Sequence, residues 1–237
     1  MLELEPRELK SVHARMTPLV DVVLPHVGAD HYSDDYVNFA VNDDPREVSA
    51  MGALVYGMIT SVDGFVADPD GGFDWGEPDD EVHAFLNERE REVGISLLGR
   101  RMYELMSYWE TSNDVPGLSL VAYEFGSIWR SHDKVVFSTT LDNVTTERTR
   151  LMRSFDAAEI AALKASTPLQ LAINGPTLAA HAIAAGLVDE FHIYRHPLSI
   201  GGGLPFLPLG ARLDLSLIDA QRFTSGVIFE KYAPRRR

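Results

Sequence analysis

The 237-residue sequence contains no cysteine. That single absence excludes disulfides, thiolate metal sites and cysteine nucleophiles together. No apolar run approaches the roughly 18–20 residues that span a bilayer. Positive charge is scarce: 21 Lys and Arg stand against 35 Asp and Glu, a formal net charge of −14. A surface that acidic repels phosphate backbones and anionic lipid, so neither nucleic acid nor a membrane is an expected partner. The one compact basic run, Arg235-Arg236-Arg237, sits at the chain end, where tails fray. The G-x-G-x-x-G fingerprint of an ordinary dinucleotide fold is missing, as is the G-x-S-x-G elbow of an α/β hydrolase. No His, Asp and Glu spacing matches a metal site, so none is expected. The acidic start, Met1-Leu2-Glu3-Leu4-Glu5, lacks a signal-peptide core, and the expected location is the cytoplasm.

What is present divides into two unequal parts. Residues 1–52 are acidic and interrupted by Pro6, Pro18, Pro25 and Pro45, which reads as a helical appendage and linker without an assignable role. Residues 53–237 alternate strand and helix patterns, which predicts an α/β domain with a mainly parallel sheet. The continuously apolar Ala53–Ile59 predicts a buried strand, and Ile95–Leu98, Lys134–Ser138, Leu169–Ile173 and Glu190–Arg195 are also expected to be strands. Leu213, Leu215 and Leu217 alternate with polar residues ahead of Gly226–Tyr232, which predicts a C-terminal antiparallel hairpin. Asp79 or Asp80 is placed to cap a helix bearing Val82, Phe85, Leu86 and Val93 on one face. Asp156, with Glu159 three residues on, has the form of a capping box. Gly186 is placed to end the helix that starts near Thr177.

Three strand ends carry the chemistry. Leu169–Ile173 runs through Asn174-Gly175-Pro176 into a helix, and free N–H groups at a helix start favour an anion. Gly99-Arg100-Arg101-Met102-Tyr103 follows a second strand and offers forked guanidinium donors. Ser138-Thr139-Thr140 closes a third and adds hydroxyls. Taken singly, each also reads as ordinary turn or helix-start chemistry. Gly201-Gly202-Gly203 reads equally as a structural turn or a close approach to a ligand. His192 is expected to be structural, and His83 to lie at the surface.

Together with Tyr56-Gly57-Met58-Ile59-Thr60-Ser61-Val62-Asp63-Gly64-Phe65-Val66-Ala67 and Phe73-Asp74-Trp75, these segments resemble the dihydrofolate reductase superfamily. The nearer branch is the one related to the riboflavin-biosynthesis reductase (RibD C-terminal) domain. The resemblance implies a three-layer dihydrofolate-reductase-like fold over 53–237 and an NADPH cofactor. It implies that Gly99, Arg100 and Arg101 hold the 2′-phosphate, with Ser138 and Thr139 against the phosphate and adenine. Asn174, Gly175, Thr177 and Leu178 would take the pyrophosphate, and Ile59 and Val66 would border the nicotinamide. Met58, Trp75, Phe85 and Tyr194 would face a small-molecule substrate. Glu81, one helical turn before Phe85, would be the catalytic acid, with Asp63 and Asp80 as the alternatives.

Two positions depart from the pattern: Asn174-Gly175 stands where the family usually has Gly-Gly, and Met102 where folate reductases have threonine. The implied reaction is hydride transfer from NADPH to a C=N or C=O bond of a pterin, a flavin precursor or a similar heterocycle. The competing reading is a nucleotide-binding or interaction module on the same fold without turnover. The resemblance also implies a homodimer, for which edge-strand pairing is a physical route.

Overall fold

The structure is a computed structural model, and it describes residues 52–235. The expected N-terminal appendage therefore lies outside the described residues, apart from Gly52.

The chain runs β1 (Leu54–Thr60), β2 (Phe65–Ala67), α1 (Asp80–Glu90), β3 (Val93–Gly99), α2 (Arg100–Met106), α3 (Leu120–Ser131), β4 (Asp133–Phe137) and β5 (Thr149–Met152). It continues through α4 (Ala157–Ser166), β6 (Gln170–Asn174), α5 (Pro176–Ala184), β7 (Glu190–Arg195), β8 (Leu204–Pro205), β9 (Leu215–Arg222) and β10 (Ile228–Pro234). Eight strands form one sheet in the order β5-β4-β3-β6-β1-β7-β10-β9, while β2 and β8 pair separately. From β5 to β7 all neighbours are parallel, and β10 and β9 close the edge antiparallel. This is the mainly parallel sheet with a C-terminal hairpin that the patterns predict. The apolar runs became strands because a sheet covered on both faces must bury both sides of each strand.

Helices cover the two faces. On one, Leu178, Ala179 and Ala182 of α5 and Ile160 of α4 pack with Leu54, Tyr56, Phe191 and Ile193 of the central strands. On the other, Val82 and Phe85 of α1 pack with Tyr194, Phe223 and Phe229. The caps follow local chemistry. Asp79 Oδ1 accepts from the Val82 N–H at 2.9 Å, and Asp156 Oδ1 accepts from Ala158 and Glu159 at 2.8 and 3.3 Å. Gly186 takes φ +66° after α5, the left-handed stop its position suggests. Strand β5 and helix α3 were not among the expected elements.

His132, at the end of α3, is 2% exposed and fully engaged. Its Nδ1 lies 3.1 Å from the Ser96 hydroxyl, and its Nε2 lies 3.0 Å from the Glu90 carbonyl. A carbonyl can only accept, so Nε2 carries the hydrogen, and neutral Nδ1 accepts from Ser96. Burial drives the imidazole down from 6.5 to about 4. Because the folded value is depressed, the contribution is complete above pH 6.5 and is lost as pH falls toward about 4. Urea titrations across that window should lose about 3 kcal/mol of stability to this group. His132→Gln should flatten that slope; an unchanged slope would show that His132 does not carry it.

Candidate active site

The parallel register brings the carboxyl ends of β3, β4 and β6 to one edge, with β1 beside them. Leu98 of β3 registers with Asn174 of β6, and Gly99 with Phe137 of β4. The segments after these strands are therefore neighbours, although they are far apart in sequence. They border a cleft of about 840 Å³, within the usual range for small-molecule and cofactor sites.

Helix capping distinguishes this edge. Side chains cap α1, α3 and α4, through Asp79, Ser119 and Asp156. The two helices that open onto the cleft, α2 and α5, begin at Gly99 and Gly175 and have no side-chain cap. At α5 the first-turn N–H groups are thus left for an anion, with Pro176 at the first helical position removing one donor. Gly175 holds φ +97°, a conformation that disfavours any side chain. A Cβ there would come within 3.9 Å of Met102 Cβ, and one at Gly99 within 3.9 Å of Leu178 Cβ, so the two helix starts are close together.

Arginines supply the positive charge. Arg100 donates from Nε to Glu104 at 2.7 Å and from Nη1 to the Thr140 hydroxyl at 2.8 Å. That bond ties the end of β3 to the end of β4. Arg101 lies under the loop after β2, where a Cβ on Gly71 would stand 2.7 Å from its Nη2. Arg153 also lines the cleft; its guanidinium donates to the carbonyls of Ser138, Leu141 and Asp142. The Ser138 hydroxyl accepts from the Thr140 and Leu141 N–H groups at 3.2 and 3.0 Å, so it shapes its own turn. The apolar end of the cleft is bordered by Met58, Ile59, Val66, Phe73 and Trp75.

Most expected cofactor residues meet here: Ile59, Val66, Gly99, Arg100, Arg101, Ser138, Thr139, Gly175, Thr177 and Leu178 all line the cleft. Asn174 ends β6 just behind it and is not in the lining. Of the expected substrate residues, Met58 and Trp75 line the cleft, whereas Phe85 and Tyr194 are buried in the core against Phe223 and Phe229.

The two expected catalytic carboxylates lie outside the lining. Glu81 accepts from the Thr224 N–H at 2.9 Å. Asp63 binds the Ser199 hydroxyl and the N–H groups of Ile200 and Gly201 at 2.7, 3.2 and 2.7 Å. Hydrogen bonds, first from the Ser61 hydroxyl and then from these groups, hold Asp63 below the usual carboxylate range. It braces the glycine run, and Gly203 packs against β2 so tightly that a Cβ would meet the Ala67 carbonyl at 2.0 Å. His192 is buried and lies 3.0 Å from Glu190. His83, expected at the surface, is half-buried beside Trp109 and Phe125, because α3 packs over α1.

One residue that the sequence did not single out is His196, immediately after β7. It is 7% exposed, and its Nε2 has no hydrogen-bond partner. Its ring stands edge-on to Trp75, with centroids 6.3 Å apart.

Residues 53–229 match the RibD C-terminal domain. The chain is 27% identical over 179 residues to the uncharacterized protein YyaP of Bacillus subtilis, covering 74% of this chain and 91% of that one. A candidate riboflavin-biosynthesis protein from Shewanella sp. PV-4 is 25% identical and superposes with a TM-score of 0.59 over 78% of this chain and 99% of its own. Dihydrofolate reductase from Enterococcus faecalis, solved in complex with NADP(H) and RAB-propyl, shares 15% identity and a TM-score of 0.54, covering 78% and 98%.

Gly175→Ala tests the bare turn at β6–α5. Forcing a side chain to φ +97° should cost about 1–2 kcal/mol. In a domain of this size that lowers the melting temperature by roughly 2–8 °C. An unchanged melting temperature would show that the turn tolerates a Cβ.

Proposed function

The chain belongs to the RibD C-terminal domain family, and from that membership we propose that it is an NADPH-dependent reductase of a small heterocyclic substrate. The observation that carries this reading is the pair of uncapped helix starts, Gly99 and Gly175, facing one cleft beside Arg100 and Arg101. A dinucleotide diphosphate suits such a place: N–H groups and the helix dipole take the negative charge, and the guanidiniums add forked donors. Arg100, Arg101, Ser138 and Thr139 are assigned to the adenosine phosphate end. Gly175, Thr177 and Leu178 are assigned to the pyrophosphate, with Asn174 supporting the turn from behind.

When bound, the cofactor supplies a hydride for a C=N or C=O carbon. The chain's part is to hold the reacting rings in a water-poor space, and Met58, Ile59, Val66, Phe73 and Trp75 provide the apolar walls for it. Neither Glu81 nor Asp63 lines that space, so the proposal does not rest on a carboxylate donor. The proposal covers 53–237 as the reductase domain and leaves 1–52 without a role in it. It includes a second copy of the chain: β9 is an edge strand exposing Leu217 and Ile218, a route to strand pairing.

Thermal denaturation with NADPH and NADH in parallel tests the assignment. NADPH at 100 times its dissociation constant should stabilise the fold by about 2.7 kcal/mol. Arg100→Ala should weaken NADPH roughly 10- to 100-fold and leave NADH nearly unaffected, because only NADPH carries the 2′-phosphate. Absence of any shift with either cofactor would sink the reductase reading.

A further inference from the structure

The end of β1, the end of β7 and the loop carrying Trp75 meet beside the cleft, which Ile59 and Trp75 line. The His196 N–H donates to the Thr60 carbonyl at 2.7 Å, joining the two strand ends. Gly76, next to Trp75, packs on Ile59, where a Cβ would come within 3.0 Å of Ile59 Cγ2. Trp75 in turn stands edge-on to His196.

Six buried side-chain polar atoms among the described residues have no hydrogen-bond partner. Three of them belong to this place: Thr60 Oγ1, Trp75 Nε1 and His196 Nε2. Thr60 is 1% exposed and His196 7%, so bulk solvent does not satisfy them. Leaving a buried polar group unpaired costs about 1–3 kcal/mol, so three together require a compensating partner. Trp75 also lines the cleft, so this polar cluster adjoins the space assigned to substrate.

We propose that Trp75 and His196 recognise the amide-type edge of a flat heterocyclic substrate, a ring C=O adjacent to a ring N–H. Resting on the reductase reading, this assignment identifies which edge of the substrate the chain reads. The chemistry of the atoms selects the ligand. Indole Nε1–H can only donate, so it pairs with the carbonyl oxygen. Burial lowers the His196 pKa despite the nearby Asp79 carboxylate, which favours the neutral ring. Neutral Nε2 either accepts from the ring N–H or, in the other tautomer, donates to a second carbonyl. Thr60 Oγ1 can serve as donor or acceptor beside them. A ring without such an edge would leave these groups as unsatisfied as they are now.

Fluorescence titration with two probes tests this directly: lumazine, a pteridine with ring C=O and N–H groups, and its 1,3-dimethyl derivative, whose N–H groups are blocked. The native protein should bind lumazine at least tenfold more tightly than the dimethyl compound. The N3-methyl of the dimethyl compound lies in the ring plane between its two carbonyls and holds that edge off the cluster, so Trp75→Phe, which keeps an aromatic ring and removes only the N–H, should weaken lumazine about tenfold and leave the dimethyl compound unchanged. His196→Leu should do the same, and His196→Gln, which restores an amide near Nε2, should recover part of the loss. Equal lumazine affinity in native, Trp75→Phe and His196→Leu proteins would overturn the proposal and assign these atoms to buried water. NADPH titration of the same samples separates the two readings. NADPH binding without lumazine discrimination refutes the edge assignment alone. Discrimination that is lost in both variants, without NADPH binding, supports the edge assignment and refutes the cofactor.

Discussion

The insertion of β6 between β3 and β1 is the constraint on which the site depends. A strand that pairs parallel with both neighbours must release its chain at the same edge as they do. The turn after β6 therefore emerges beside the turn after β3, and Gly175 and Gly99 face each other's helices at contact distance. Neither glycine would place a cofactor alone. Their adjacency is a property of strand order, and strand order is set by the burial of Leu97, Leu171, Ile173 and Leu54 in one core.

That edge is also where the electrostatics change character. The chain carries a net charge of −14, and its overall field opposes an anionic cofactor. Local geometry has to overcome this at short range. On the proposed reading, two uncapped helix starts and three arginines lining one cleft would do so, because Coulomb attraction within a few ångströms outweighs distant charges screened by salt. The same reasoning explains why Arg100 bridges Glu104 and Thr140. Its partner on α2 limits its motion, and its partner after β4 ties two strand ends together.

The core of this fold was legible in the sequence because the central strands are rich in apolar and β-branched residues and alternate with helical patterns. Strand β5 was not: it is a half-exposed edge strand with Thr149 and Arg150 in it, and no period marks it. The glycine turns that border the cleft were legible for a related reason, since they follow directly after buried strands and are local signals. The apolar end was harder to read. The helical spacing of Glu81 and Phe85 was sound, but that face of α1 is taken up by Tyr194, Phe223 and Phe229. Phe85 became core, and Glu81, one turn earlier, met the Thr224 backbone.

His196 illustrates a limit of a different kind. Nothing in Tyr194-Arg195-His196-Pro197 distinguishes a buried histidine from one in an exposed strand-end turn. Its burial arises because the loop after β2 folds back over the sheet, fixed by Asp68 bonds to the Asp70 and Gly72 N–H groups and by the fit of Gly76 on Ile59. Trp75 thereby reaches a strand end far from it in sequence. The loop makes the cleft wall and the unsatisfied polar cluster in one step, and a shift of that loop would alter both. On the proposed reading, substrate recognition would thus be coupled to the packing of a short loop, while the cofactor site would be built into the sheet. In such an arrangement, the loop can change without disturbing the strand order that brings Gly99 and Gly175 together.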